Sequence, residues 1–136
     1  MINKIEFIAI AGDSGGHVLP AIKYINELSK YKDPKSILFI TNEIGSKFCD
    51  QIKSKETNIV IIKYKNKLAY VMKVIFNLTS IFLKNKKIKL IGFGGFMTTP
   101  VLFFAKFFNI FFLKKNNIFI HEQNYVLGLA NKINLK

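Results

Sequence analysis

Three short runs hold the residues that could do chemistry in this chain. His17 closes Gly12-Asp13-Ser14-Gly15-Gly16-His17, and His121 opens His121-Glu122-Gln123-Asn124. Gly92-Phe93-Gly94-Gly95-Phe96 lies between them. Glycines at a turn let backbone come close to a ligand, and a helix starting there offers N–H groups to a phosphate or oxyanion. A ring at a helix start sits beside the positive end of the dipole, which favours the neutral form that a general base needs. His17 is therefore a candidate base; the alternative is a ring that only hydrogen-bonds its own loop. His121 to Asn124 pairs two titratable groups with two amides, a pattern suited to reading a ligand. Two histidines so far apart make a poor ligand set, and no metal site is expected.

Elements must bring these runs together. Apolar, β-branched runs predict strands over 5–10, 36–40, 58–63, 89–93 and 118–120. Helical spacing predicts helices from about 18 to 28, over 44–52, over 68–84, from about 99 to 109, and from about 126 onward, with Pro20 in a first turn. Alternation of this kind gives a parallel, Rossmann-like sheet with helices on both faces, an α/β fold. The three runs follow the first, fourth and fifth strands. In an open parallel sheet such turns share the carboxyl edge, where ligands bind. Gly94, Gly95 and Phe96 would then present bare backbone to the same cleft as His17.

Composition narrows the partners. The chain has 136 residues, enough for one domain, and a net charge of +13. All 21 basic residues are lysines. Such charge favours nucleic acid, anionic lipid or phosphorylated substrates. Nucleic acid is the weaker of these, because there is no arginine and no recognised binding motif, and the lysines are spread along the chain. One cysteine, Cys49, forms no internal disulfide and fits a reducing compartment. Glu6 breaks the first apolar run, so no signal peptide is expected, and no apolar stretch reaches the ~20 residues of a membrane span. A cytoplasmic protein with membrane-surface contact is expected. Gly12 to Gly16 also reads like the nucleophile segment of trypsin-like proteases. Its place near the start of the chain, between a strand and a helix, rejects that reading.

The three runs together resemble the MurG family of glycosyltransferases, also called family 28. The first resembles a Gly-Gly-Thr-Gly-Gly-His motif followed by Pro, here Pro20. The second resembles Gly-x-Gly-Gly-Tyr ending in Pro, here Pro100. The third resembles His-Glu-Gln-Asn followed by Gly-Leu-x-Asn-Lys, here Gly128 to Lys132. The resemblance covers essentially the whole chain. It implies the N-terminal half of a GT-B enzyme, two Rossmann-like domains facing a cleft. Such an enzyme transfers GlcNAc from UDP-GlcNAc, with inversion, to MurNAc-pentapeptide on undecaprenyl diphosphate, using no metal or other cofactor. It further implies His17 as base with Glu122 supporting the cleft, and Ser14, Gly15, Gly16 and Asn124 as donor or diphosphate contacts. Gly94, Gly95 and Phe96 would form the acceptor-side loop. Residues 1–136 would be an acceptor-binding domain, truncated and lacking the donor domain. The alternative is then an inactive truncated remnant, or a membrane-lipid binding subunit of a split glycosyltransferase whose donor domain is a separate chain. The chain departs from the pattern at Asp13 (for glycine), Ser14 (for threonine) and Phe96 (for tyrosine), and Thr98-Thr99 replace a small pair.

The helices at 68–84 and 101–113 are apolar over more than an ordinary core stripe. Ile75, Phe76, Phe82, Phe107 and Phe108 are expected to form a membrane patch edged by lysines. The resemblance places that patch on the inner face of a bacterial cell membrane. The competing arrangements are a helix buried on both sides and a surface that the missing domain would cover.

Overall fold

A computed structural model describes residues 4–121 of the chain. Its strands are β1 (Phe7–Ile10), β2 (Ile37–Thr41), β3 (Asn58–Ile61), β4 (Lys89–Gly92) and β5 (Asn117–Ile120). All pair in parallel in the order β3-β2-β1-β4-β5. The helices are α1 (Gly15–Leu28), α2 (Glu43–Ser46), α3 (Lys67–Lys84) and α4 (Thr98–Phe111). Short 3₁₀ turns at Pro34–Ser36 and Cys49–Gln51 complete the described elements.

Every residue of β1 and β2 is buried, which is why these strands read as unbroken apolar runs rather than alternations. Their side chains divide between two cores. Phe7, Ala9, Ile37 and Phe39 pack with Val18, Ile22 and Ile25 of α1. Ile8, Ile10, Leu38, Ile40 and Leu90 pack with Tyr70, Val74, Leu78 and Phe82 of α3 and Val101, Leu102 and Phe108 of α4. Helices therefore cover both faces, as the alternation predicts.

The helix expected over 44–52 is instead the single turn α2 (Glu43–Ser46) and a separate 3₁₀ turn (Cys49–Gln51), and two further expectations need correction. First, α1 starts at Gly15, so Pro20 falls in its second turn rather than its first. Having no N–H, Pro20 cannot complete the intrahelical bond to the Gly16 carbonyl. Second, Phe82 and Phe108 are not surface residues: they are 0% and 3% exposed. Their rings meet at a centroid distance of 5.4 Å and form the seam between α3 and α4. Neither can touch a membrane. Ile75 and Phe107 are both 41% exposed and Phe76 is 86% exposed, so those three do lie outside. The helix predicted from about 126 lies outside the described residues.

This division is measurable. Phe82→Ala should lower unfolding stability by about 3–5 kcal/mol in a urea titration, as for other buried aromatics. Phe76→Ser should change it by no more than about 0.5 kcal/mol. Equal losses would mean that the two sides of α3 have been misassigned.

Candidate functional site

From β1 the chain moves to β2 on one side, whereas β4 leads to β5 on the other. The order reverses between β1 and β4, and ligands of open parallel sheets bind at the carboxyl side of such a switch point. Ile10 pairs there with Gly92, the last residue of each strand. The Gly-rich turn after β1 and the double-glycine turn after β4 are consequently neighbours.

His17 stands between them as the third residue of α1. A Cβ on Gly94 would meet the Cε1 and Nδ1 atoms of the His17 ring at 2.9 Å. A Cβ on Gly95 would meet an Asp13 carboxylate oxygen at 2.6 Å and His17 Cδ2 at 3.4 Å. Both glycines also have positive φ, 91° and 78°, which side-chain-bearing residues rarely adopt. The second glycine run thus leaves the space that the histidine of the first run fills.

Asp13 has φ 69°, a conformation that glycine adopts freely and Asp tolerates better than most residues. Its carboxylate accepts a hydrogen bond from Asn42 Nδ2 at 3.1 Å. The Tyr64 hydroxyl and the Met97 N–H make longer approaches, at 3.4 and 3.5 Å. One carboxylate therefore ties together the turns after β1, β2, β3 and β4. Asn42 is itself fixed, because its Oδ1 caps α2 by accepting from Gly45 N–H at 3.0 Å. Behind this tie, the buried Tyr70 hydroxyl of α3 donates to the Met97 carbonyl at 2.7 Å. Its ring packs between Tyr64 and Phe96, at centroid distances of 4.8 and 5.6 Å. Burial, with Tyr64 and Asp13 nearby, pushes the Tyr70 phenol well above its ordinary range.

Ser14 occupies the N-cap position of α1 but makes no capping bond through its side chain. The first N–H groups of a helix, here those of Gly15 and Gly16, have no intrahelical acceptor and are available to an anion. Phe96 is half-buried, with Lys67 Nζ 5.3 Å from its ring centroid. His121 follows β5; its N–H donates to the Gly92 carbonyl at 2.8 Å and its ring lies 5.1 Å from that of Phe93. The structure thus brings Ser14, Gly15, Gly16, His17, Gly94, Gly95, Phe96 and His121 to one edge. Glu122 and Asn124 lie outside the described residues. Among the described residues, no three His, Cys, Asp or Glu side chains gather as a metal site would require. Sequence reading missed Asn42, Tyr64, Tyr70 and Met97. For Asn42 and Tyr64 a signal was present, since each is a polar residue just past the carboxyl end of a strand.

The model of the glycosyltransferase family 28 N-terminal domain matches residues 7–136. The chain belongs to this family. It is 35% identical over 137 residues to a protein of Listeria welshimeri, covering 92% of this chain and 36% of that one. It is 33% identical over 139 residues to a protein of Alkaliphilus oremlandii (95% and 36%) and 30% identical over 132 residues to one from the Wolbachia of Brugia malayi (94% and 35%). Each relative is named as a UDP-N-acetylglucosamine–N-acetylmuramyl-(pentapeptide) pyrophosphoryl-undecaprenol N-acetylglucosamine transferase. The chain spans about a third of the length of these curated relatives. No solved structure matches it.

The family 28 pattern puts a glycine where this chain has Asp13. The positive φ at that position accounts for the glycine, and the hydrogen bonds from Asn42, Tyr64 and Met97 account for what Asp does in its place. Glycine-to-alanine substitutions separate the roles of these turns. Gly16→Ala meets only Ser14 Oγ, at 3.6 Å, and should leave stability level or raise it by up to about 1 kcal/mol. Gly95→Ala should lower it by about 1–3 kcal/mol and shift the His17 ring resonances. Indifference to Gly95→Ala would refute the close packing described here.

Proposed function

We propose that this chain is the acceptor-side half of an inverting transferase. The reaction moves GlcNAc from UDP-GlcNAc to MurNAc-pentapeptide carried on undecaprenyl diphosphate, in peptidoglycan synthesis. One observation carries this reading: His17 is seated between two glycine turns at the switch point of a family 28 domain.

In this mechanism His17 removes the proton from the acceptor hydroxyl as its oxygen attacks the anomeric carbon of the donor. The bond from that carbon to the UDP oxygen breaks on the opposite face, which inverts the centre. The Gly15 and Gly16 N–H groups and the start of α1 stabilise diphosphate charge, and Ser14 adds a hydroxyl beside them. Glu122 supports the cleft and Asn124 contacts the donor. Gly94, Gly95 and Phe96 border the acceptor. Most of the donor site belongs to a second domain, joined to this half in one polypeptide or supplied by another chain.

The acceptor is lipid-linked, and the outer surface of α3 and α4 suits an anionic membrane. Phe76, Phe103, Phe107, Phe111 and Leu113 are exposed there. A groove of about 510 Å³ between the two helices is lined almost wholly by apolar side chains, including Val71, Ile75, Pro100 and Phe104. No helix among the described residues is long and apolar enough to cross a membrane. The proposed location is the cytoplasmic face of the bacterial cell membrane.

Purified alone, the chain should transfer no GlcNAc. Combined with a family 28 donor domain it should do so, and His17→Ala should then lower kcat by about 10²–10⁴-fold. Full activity in that variant would remove His17 as the base. Binding to vesicles that contain phosphatidylglycerol should weaken about tenfold when Phe76→Ser and Phe107→Ser are combined. Unchanged binding would reject this surface as the membrane contact.

A further inference from the structure

The opposite edge of the sheet holds a second concave site. Lys4 precedes β1, Lys32 follows α1, Lys84 ends α3, Lys86 and Lys87 lead into β4, and Lys89 is its first residue. These six side chains line a cleft of about 550 Å³. Its one carboxylate is Glu6, which pairs with Lys4 at 3.1 Å. Six ammonium groups against one carboxylate leave a net charge of +5 around the cavity.

The floor of the cleft is built rather than incidental. The buried Asn85 side chain accepts from Ile5 N–H at 3.1 Å and donates to the Ile81 carbonyl at 2.8 Å. This fixes the end of α3 to the start of β1. Lys89 N–H donates to the Glu6 carbonyl at 2.9 Å. The Lys32 and Lys89 ammonium groups lie 6.0 and 5.5 Å from the centroid of one ring, that of the buried Phe7. Two like charges are thus held over a shared platform facing the cavity.

Helix carboxyl ends attract cations, and α1 and α3 both end at this edge. That accounts for part of the lysine cluster. Each end contributes roughly half a negative charge, about one in all. A positive excess of about four remains, and it attracts anions to the cleft. The cavity lies within the range of small-ligand sites, and lysine's compact charge suits phosphate groups in varied arrangements.

We propose that this cleft is a binding site for a ligand carrying two or more phosphate charges. It is separate from the carboxyl-edge site and does not depend on the transferase reading. The ligand chemistry has two sources: a soluble polyphosphate, or headgroups of an anionic membrane.

Two probes distinguish the sources. Inorganic triphosphate is titrated into the 136-residue chain by calorimetry, and vesicles of phosphatidylglycerol in phosphatidylcholine are tested by co-sedimentation. Lys32→Gln combined with Lys89→Gln should weaken binding of at least one probe about tenfold. Lys23→Gln combined with Lys53→Gln removes the same charge elsewhere and should weaken it less than about twofold. Loss with triphosphate identifies a soluble ligand; loss with vesicles alone identifies the membrane. Lys86→Gln with Lys87→Gln repeats the test should the first pair perturb folding, which thermal unfolding would reveal. Equal losses from cleft and control pairs, or no binding of either probe, would overturn the proposal.

Discussion

Parallel pairing of β1 with β4 forces the turns that follow them into contact, and the volume between those turns is filled by one imidazole ring. Gly94 and Gly95 cannot carry side chains without striking His17 or Asp13. Gly12 is constrained from the other direction, since a Cβ there would run into the Met97 side chain. The two glycine runs are therefore halves of one packing arrangement. Separate nucleotide contacts are not needed to explain why both runs occur. This constraint sets the register of β1 on β4, the start of α1 and the path into α4.

Asp13 shows how the same constraint absorbs a sequence departure. A carboxylate in a turn meant for phosphate looks unfavourable when only the sequence is known. In the fold, Asn42 donates to that carboxylate, and Tyr64 and Met97 approach it from neighbouring turns. Its charge serves the junction of four turns. The Gly15 and Gly16 N–H groups remain a separate feature at the start of α1. The tie continues outward through Met97 and Tyr70 into α3. The helix with the exposed apolar surface is in this way hydrogen-bonded to the turn beside His17.

Much of this was legible in the residues. The strands are short, β-branched and bounded by turns, so their number and their parallel alternation could be read directly. The glycine runs could be placed at the carboxyl edge because each follows a strand. Three features escaped for physical reasons. The boundary of α1 was misplaced because Gly15 and Gly16 are poor helix formers, and only the fold recruits them. The role of Asp13 depends on side chains 29 and 51 residues away, which no local pattern reveals. Phe82 and Phe108 were assigned to the surface because α3 and α4 are apolar nearly all round. Periodicity separates an apolar face from a polar one and cannot divide one apolar face from another.

The same two-sided apolarity distinguishes α3 and α4 from α1. In α1 the buried side chains are Val18, Ala21, Ile22 and Ile25, and the outer surface carries Lys23 and Glu27. In α3 the buried set is Tyr70, Val74, Leu78, Ile81 and Phe82, yet Leu68, Met72, Ile75, Phe76 and Leu83 are exposed. Phe103, Phe107, Ile110 and Phe111 extend that surface across α4. Leaving a large apolar side chain in water forgoes about 1.5–3 kcal/mol of burial, so a surface of this extent strongly favours a covering phase or partner. Lysines flank it at both ends, Lys65 and Lys67 before and at the start of α3, Lys84 at its last residue, and Lys86, Lys114 and Lys115 beyond the helix ends. The proposed contact with an anionic bilayer would use both the apolar strip and the cations around it. The physical demand of the two helices and the lipid-linked acceptor of the proposed reaction therefore converge on the same surroundings, although the first follows from packing and the second from the site.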